Sequence, residues 1–370
     1  MKVQNLKQLV TAVLTFLFIL SSDAQISNAP EKKAKVIKHE VLEFLNNGMV
    51  QYKGVPYTGE SWAYFDKPRK IHEKFTWLNG SQHGPYSEYN EVGTIIAKDT
   101  WFQGKKHGGF DYRYGLGQRK AKGTFKNGRL DGQVWGWYYT GTPKYYGNYS
   151  SGVRNGKNIT YFKDGDVEQI AYLVNGKPNG TIFSYYTDSI LRSEIEFQNG
   201  VKNGYSYKFH RSGCPAEEAY YINGKLDSVK RVYGEIGCRL IAQSSLKNGK
   251  NEGRFLTFDF TGDTVMDCTY VGGDFDGLYK TWHGKYLETI GSYNLGEPIG
   301  YWYYNLSSGL KMRHGRYMDG KMFGKWYFYD VEGYLLLTNV YDEEGDIIKQ
   351  KFYKRKRKCM IKYPHKNERK

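Results

Sequence analysis

Histidines and paired acidic residues are the residue types in this chain that could bind a metal ion or transfer protons. His83 and His107 lie 24 residues apart, and each directly precedes a glycine. Asp274 and Asp276 flank a turn, where aspartate is expected because its side chain accepts hydrogen bonds from nearby backbone N–H groups. The chain contains no His-Glu-x-x-His, Gly-x-Ser-x-Gly or phosphate-loop motif. We therefore interpret the two histidines as solvent-facing turn residues and predict no catalytic residue, metal site or cofactor.

Two of the four cysteines occupy equivalent positions. Cys214 and Cys238 each follow a turn glycine and are 24 residues apart. Equivalent residues two strands apart in a continuous sheet are separated by ~9.6 Å, whereas disulfide-bonded Cα atoms lie within about 7 Å. Chains can lean together at a loop, however, and an exported compartment favours oxidation. A bridge and two free thiols both remain open, and Cys268 and Cys359 have no obvious partner.

The first 24 residues have the pattern of a secretory signal peptide. Lys2 and Lys7 precede an apolar run from Leu9 to Leu20, and Ala24 provides a small residue for cleavage. A membrane anchor is the alternative, but the apolar run is too short to span a bilayer comfortably. We therefore expect an exported protein, located in the periplasm, at the outer membrane or at the cell surface.

The basic charge of the chain is concentrated at one end. The net charge is +16, of which residues 349–370 carry +10 from 11 Lys or Arg and one Glu. These residues form a basic tail that could bind anionic lipid headgroups, lipopolysaccharide phosphates or nucleic acid, or could be a solvated end. Export favours envelope phosphates over nucleic acid. The candidate anion-binding residues of the tail are Lys354, Arg355, Lys356, Arg357 and Lys358.

A turn glycine recurs along most of the chain. Its positions are Gly54, Gly80, Gly104, Gly128, Gly152, Gly176, Gly200, Gly224, Gly249, Gly273, Gly296 and Gly320. After the first step the spacing is 24 residues, with one step of 25 and one of 23. A second turn in each unit leaves about seven residues for each of two strands. Alternating aromatic residues, such as Trp135 and Trp137, are also typical of strands.

This spacing predicts an all-β fold: an elongated single-layer antiparallel meander, or β-hairpin solenoid, of about twelve repeats. We place the repeat array at residues 42–348. Residues 25–41 are polar and rich in lysine, and we expect them to form a flexible leader between the signal peptide and the array.

Four segments share a glycine, an aromatic residue and a turn glycine: 123–132, 147–152, 291–296 and 315–320. They resemble the MORN repeat, whose pattern is Gly-x-aromatic-x-Asn-Gly-x-x-x-Gly. The 24-residue period and the opening Val55-Pro-Tyr-Thr-Gly59 are more similar to the bacterial variant, known as antitoxin-like MORN repeat proteins. The resemblance covers residues 54–333. It implies a meander of hairpins that serves as a scaffold, with a groove for protein segments or lipid, and it implies no catalysis.

The chain departs from this pattern in several repeats. Ser228 replaces the second turn glycine, and the leading glycine is replaced at five positions, which leaves the role of that glycine open. Those five residues are Asp99, Ala171, Ile195, Ala219 and Cys268. Segments 300–304 and 324–329 are also similar to choline- or glucan-binding cell-wall repeats, but those have a period nearer 20 and lack the Asn-Gly turn.

The aromatic residues have two interpretations. They can be the packed face of the sheet, or they can line a groove for an extended or helical partner. The candidate groove residues are Trp135, Trp137, Trp282, Trp302 and Trp326. We expect an exported, non-catalytic scaffold that binds a protein partner in the cell envelope. The alternative is a module that binds envelope glycan or anionic lipid through aromatic stacking and the basic tail.

Overall fold

The computed structural model describes residues 36–67 and 69–354 of the chain. The predicted signal peptide and the tail residues Arg355, Lys356, Arg357 and Lys358 lie outside the described residues. In the described part, the chain forms one long, almost entirely antiparallel sheet and a small three-stranded sheet near its N-terminal end. Within these ranges no helix is long and apolar enough to cross a membrane.

Strands account for most of the described chain, and two short 3₁₀ segments lie at His39–Val41 and Ile236–Cys238. The first half contains β1 (Val36–Lys38), β2 (Glu43–Phe44), β3 (Val50–Tyr52), β4 (Val55–Pro56), β5 (Gly59–Tyr64), β6 (Ile71–Leu78), β7 (Ser81–Gln82), β8 (Gly84–Tyr89), β9 (Ile95–Phe102), β10 (Lys105–Lys106), β11 (Gly108–Arg113), β12 (Arg119–Lys126), β13 (Arg129–Leu130), β14 (Gly132–Trp137), β15 (Pro143–Ser150), β16 (Val153–Tyr161) and β17 (Val167–Val174). The second half contains β18 (Lys177–Pro178), β19 (Gly180–Tyr185), β20 (Leu191–Gln198), β21 (Val201–Phe209), β22 (Pro215–Ile222), β23 (Lys225–Tyr233), β24 (Leu240–Lys247), β25 (Lys250–Phe258), β26 (Thr264–Val271), β27 (Asp274–Phe275), β28 (Gly277–His283), β29 (Tyr286–Asn294), β30 (Glu297–Asn305), β31 (Lys311–Met318), β32 (Lys321–Tyr329), β33 (Leu335–Tyr341) and β34 (Ile347–Phe352).

From β5 onward the sheet is an antiparallel meander in which neighbours in the chain are neighbours in the sheet. Five two-residue strands, such as β7 and β10, pair with the same preceding strand as the strand that follows them. In one repeat, for example, β14 pairs with β15 through Gly132 and Tyr149, and β15 pairs with β16 through Tyr149 and Arg154. The same arrangement continues to β33 and β34. The prediction of an all-β, single-layer antiparallel meander is confirmed.

The Asn-Gly pairs form the tight turns at one edge of the sheet. Asn127 and Gly128 have φ angles of 51° and 81°, and equivalent residues in the other repeats have similar values. Two consecutive residues with positive φ are the mark of a type I′ turn, which matches the right-handed twist of the strands that it joins. Asparagine and glycine occupy these positions because they adopt the left-handed region at little cost.

Consecutive tight turns are joined by hydrogen bonds, and this explains the second half of the repeat motif. Gly152 donates its N–H to the carbonyl of Leu130, and Ser151 donates its N–H to the carboxylate of Asp131 at 3.1 Å. Gly132, directly after Asp131, has φ +89°. The residue before the second glycine therefore caps the next turn, so most of the motif has a structural role.

Ser228 is the repeat position where this glycine is missing. It takes the left-handed conformation without being glycine, with φ 66°, and β23 continues through it. The departure seen in the sequence is thus absorbed by one residue in a sparsely populated backbone conformation, without a change in topology.

One face of the sheet holds most of the buried side chains of the array, and we name it the inner face. Its buried members include Ser61, Trp77, Asp99, Phe110, Val134, Asn158, Ala171, Ser184, Ser206, Ala219, Cys268, Trp302 and Trp326. Cross-strand register places these residues on the same side, and alternation places their neighbours on the opposite, outer face. A single layer can bury them because large side chains lie across small residues on adjacent strands.

The leading glycine provides that small residue. A Cβ atom at Gly291 would lie 2.0 Å from the indole of Trp302, and one at Gly315 would lie 2.2 Å from Trp326. In another repeat Ile195 replaces the glycine, and the residue opposite it is the small Ser206. The role of the leading glycine is therefore steric. Where one strand carries a large inner-face side chain, the residue opposite it on the neighbouring strand is small.

The sheet extends beyond both predicted limits of the array. Val36–Lys38 pairs parallel with Glu60, Ser61 and Trp62 of β5, so this part of the predicted flexible leader belongs to the sheet. Leu42, Val50, Tyr57 and Trp77 form a hydrophobic cluster under the small sheet and cover the first repeat. At the other end, β34 continues to Phe352, four residues past the predicted boundary at 348.

Candidate functional site

The five candidate groove tryptophans do not line one groove. Trp302, Trp326 and Trp282 are buried, with exposed fractions of 2%, 0% and 8%. The indole N–H of Trp326 donates to the carbonyl of Arg316 at 3.0 Å. Trp302 and Trp326 are therefore part of the packed inner face and cannot contact a partner without unpacking the sheet, and Trp282 is buried as well.

Trp135 and Trp137 are half-buried and belong to a different surface. Trp135 follows the inner-face residue Val134, so it points to the outer face, where its ring lies 4.6 Å from that of Tyr146. The rings of Trp135 and Trp137 are stacked at 6.3 Å. Alternation therefore separates this pair from the buried Trp302 and Trp326, and the five tryptophans do not form one row.

Cys214 and Cys238 form a disulfide, with their Cα atoms 5.2 Å apart. Both lie in turns at the edge opposite the Asn-Gly turns. The turn that contains Cys238 closes with the N–H of Gly234 donating to the carbonyl of Arg239, one residue longer than the turn closed by His210 and Cys214. At this edge the two turns lie closer together than two strands of the sheet that are separated by a third. Cys268 is free and buried, and burial raises the pKa of its thiol to about 11.

The two turn histidines are half-buried and not fully facing solvent. Their rings lie on either side of Phe102, with centroids at 5.0 Å for His83 and 5.7 Å for His107. His107 Nδ1 accepts a hydrogen bond from the backbone N–H of Asn127 at 3.4 Å. In the described ranges, no group of three or more His, Cys, Asp or Glu side chains could hold a metal ion.

A cleft of about 590 Å³ opens on the inner face of the first repeats. Its lining residues are Phe75, Gln82, Tyr86, Glu88, Ile96, Ala97, Asp99, Trp101, Lys106, Tyr112, Arg113 and Lys120. The space exists because small residues occupy the middle of a cross-strand row. Glu88 and Tyr112 both lie opposite Ala97, and Tyr112 lies opposite Ala121 on its other side.

A closed set of polar contacts forms one side of this cleft. The Lys106 ammonium donates to Asp99 Oδ2 at 2.8 Å and to the Tyr112 hydroxyl at 2.7 Å. The Tyr112 hydroxyl in turn donates to Asp99 Oδ1 at 2.7 Å. Asp99 is 5% exposed, and the ammonium also lies 5.6 Å from the ring centroid of Trp101 and 5.5 Å from that of Phe125. Each charge is therefore compensated, as a buried ion pair requires.

Burial and the nearby carboxylates keep the cleft tyrosines neutral. Burial is the main cause that raises the pKa of Tyr112, followed by its hydrogen bond to Asp99. Burial likewise raises the pKa of Tyr86, whose hydroxyl donates to Glu73 Oε1 at 2.7 Å. The two phenols therefore act as fixed hydrogen-bond donors that hold the carboxylates in place.

One residue that lines the cleft has a buried hydrogen-bond donor without a partner among the described residues. The indole Nε1 of Trp101 is buried and makes no hydrogen bond with any residue that the structure describes. Buried polar groups without a partner are rare in native proteins and call for an explanation.

The sequence pattern marks one residue of this site but does not indicate its role. Asp99 was identified as a departure from the leading glycine, and the structure places it at the centre of the polar contacts. Glu73, Glu88 and Tyr112 carried no signal of their own, because each occupies an ordinary alternating strand position.

No protein-family model matches the sequence, and no curated protein matches it. Among solved structures, the crystal structure of TcdB2-TccC3 is similar with a TM-score of 0.17 and 11% identity, covering 76% of this chain and 20% of that chain. The Photorhabdus luminescens Tc holotoxin pore matches with a TM-score of 0.16 and 10% identity, covering 80% of this chain and 15% of that chain. The chain thus spans a fifth or less of either length, and similarity at this level supports no statement about function.

Proposed function

We propose that this protein is an exported, non-catalytic scaffold of MORN-like repeats that binds a segment of a protein partner in the cell envelope. The inner-face cleft is the binding site in this proposal. It replaces the tryptophan groove, since Trp302 and Trp326 are committed to packing. The support is the composition of this cleft, which combines aromatic rings with a polar side formed by Lys106, Asp99 and Tyr112. The indole N–H of Trp101 in its lining has no partner among the described residues.

The composition of the cleft suits a polypeptide. Phe75 and Tyr86 offer apolar surface, Trp101 offers a donor for a backbone carbonyl, and Glu88 and Lys120 carry charges of both signs. Ligand sites typically combine such apolar walls with a few fixed polar groups. A rigid floor also lowers the entropic cost of binding, because the site is organised before the partner arrives.

Crosslinking in the envelope tests this proposal. A photo-crosslinking amino acid at Arg113, which lines the cleft, should capture one protein at high yield. The same amino acid at Lys122 is the control, because Lys122 pairs with Trp135 on the outer face. Equal capture from both positions, or capture of no protein, would contradict the proposal.

A conservative substitution adds a binding measurement. Trp101→Phe keeps an aromatic ring but removes the indole N–H, and we expect it to weaken the captured complex about fivefold to tenfold. Trp135→Phe on the outer face should leave affinity unchanged. Retention of the protein on isolated envelope glycan or anionic vesicles, with no protein partner, would instead support the alternative function, for which the aromatic lining and the basic tail are the relevant features.

A further inference from the structure

Glu88, which lines the N-terminal end of the cleft, faces a second carboxylate on the neighbouring strand. Glu73 on β6 and Glu88 on β8 are direct cross-strand partners. Like charges in this relation destabilise a sheet. We name these two residues the acidic pair.

The acidic pair has no cation of its own in the array. Among residues 36–67 and 69–354, Glu88 makes no hydrogen bond or ion pair, although it is half-buried and lines the cleft. Glu73 accepts a hydrogen bond from Tyr86 and lies 3.7 Å from the ring of His72, which is charged only when protonated. Like charges in direct register destabilise the sheet, and a cation bound between the two carboxylates would remove that cost.

The other charged groups of the cleft are engaged elsewhere. Lys106 is held by Asp99, and Arg113 contacts Asp111 at 3.4 Å. Lys120 is exposed at the opposite side of the cleft, with its ammonium 5.9 Å from the ring centroid of Tyr114. The N-terminal half of the cleft is therefore acidic and the C-terminal half basic.

Aromatic rings border the acidic pair. The rings of Phe75 and Tyr86 lie 5.2 Å apart, and Tyr112 stands across Ala97 from Glu88. Ring faces attract cations, and this attraction grows when water is excluded. The same chemistry is already used once in this cleft, where Trp101, Tyr112 and Phe125 surround the ammonium of Lys106.

From this arrangement we infer that the N-terminal half of the cleft binds a lysine or arginine side chain of the partner segment. The ammonium or guanidinium group lies between the carboxylates of the acidic pair, and its aliphatic stem lies against Phe75 and Tyr86. This inference rests on the proposed function, because it names the chemistry that the partner presents to the same cleft. The indole N–H of Trp101 then donates to the partner backbone or to a polar group next to that side chain.

A peptide series tests the inference with the mature full chain. The probes are four fluorescein-labelled decapeptides of otherwise identical Gly, Ser and Tyr composition, with Lys, Arg, norleucine or Glu at the centre. Fluorescence anisotropy should show the Lys and Arg peptides binding about tenfold more tightly than the norleucine peptide. Their advantage should decrease as salt rises, since exposed ends of the cleft are screened.

Two variants separate charge recognition from general binding. Glu88→Gln should abolish the preference for Lys and Arg over norleucine while leaving norleucine binding unchanged. Glu194→Gln is the matched control, because Glu194 lies opposite Phe183 and Tyr207 on the outer face, away from the cleft. Equal affinity for the Lys and norleucine peptides, or an unchanged preference in Glu88→Gln, would overturn the inference.

The two proposals fail in different experiments. If crosslinking from Arg113 still captures one protein and Glu88→Gln does not reduce that capture, the scaffold function stands and basic side-chain recognition falls. If the peptide preference is present but no envelope protein is captured, the recognition chemistry stands and the protein-scaffold function falls.

Discussion

The indole of Trp326 lies directly over Gly315, where a Cβ atom would be 2.2 Å from the ring. The two residues are on adjacent strands, β32 and β31, and Trp326 is fully buried. The leading glycine of the repeat therefore leaves the space in which the large side chain of the next strand packs. Because of this packing, an open single-layer sheet can bury apolar surface.

Gly315→Ala should destabilise the protein by about 1–3 kcal/mol, because the added methyl forces Trp326 out of its position. Urea unfolding followed by tryptophan fluorescence measures the change. Gly115→Ala is the control, since a Cβ at Gly115 meets nothing within 4 Å. Equal effects of the two substitutions would show that the Trp326 contact does not explain the glycine.

Glu88→Gln should raise the free energy of unfolding by about 0.2–1 kcal/mol, since it removes a like charge directly opposite Glu73. The same variant is expected to lose recognition of basic side chains. Gain of stability with loss of binding is the signature of a residue kept for function. Thermal unfolding of Glu88→Gln beside Glu194→Gln makes the comparison, and a destabilised Glu88→Gln would argue that the carboxylate has a structural partner.

His314 should make the protein less stable in acid. Its ring is stacked between Tyr303 and Tyr327, with centroids at 5.5 Å and 4.7 Å. Burial, followed by the charge of Lys311, lowers the pKa of His314 to about 4. Because the unfolded chain then binds more protons than the folded one between about pH 4 and 6.5, stability falls as pH drops through this window.

His314→Gln should reduce that loss of stability between pH 6.5 and 4, which melting temperatures measured across the window would show. The exposed His283 provides the control as His283→Gln. An unchanged pH profile in His314→Gln would mean that other groups cause the acid sensitivity.

The Cys214–Cys238 disulfide closes a loop of 24 residues. By the chain-entropy model, replacing both cysteines with serine should cost about 2–4 kcal/mol. Peptide mapping without reduction should recover one linked pair that contains Cys214 and Cys238. Cys268 should react with an alkylating agent only after unfolding, because its thiol is buried and its pKa is raised. Free thiols at Cys214 and Cys238 in the purified protein would contradict the bridge.

The repeat pattern was predictable because its signals are local. Asn127 and Gly128 carry the positive φ angles of a type I′ turn in two adjacent residues, and strand alternation is read over six to eight residues. The candidate site was not predictable in the same way. Glu73 and Glu88 are separated in sequence by the turn that joins their strands, and only the cross-strand register brings them face to face.

The N-terminal end of the array also could not be predicted from local sequence. Val36–Lys38 has a polar, lysine-rich context that predicts a flexible leader, yet it pairs with β5 because the first hairpin leaves an edge that a parallel strand can cover. Whether a short segment pairs with a sheet edge depends on the tertiary structure, and it cannot be predicted from the local amino-acid composition.

The amino-acid sequence alone determined the all-β meander, its period and its tight turns, because these depend on φ preferences and alternation within single repeats. The tertiary structure decided which tryptophans are buried, which face carries the cleft and which carboxylates meet. Trp326 comes two residues after Gly324, whereas Trp135 comes three residues after Gly132, so their side chains point to opposite faces. Trp326 is buried because it lies against a glycine on the neighbouring strand. Burial and charge pairing are set between strands, and their physical basis is the size and charge of the residue that lies opposite.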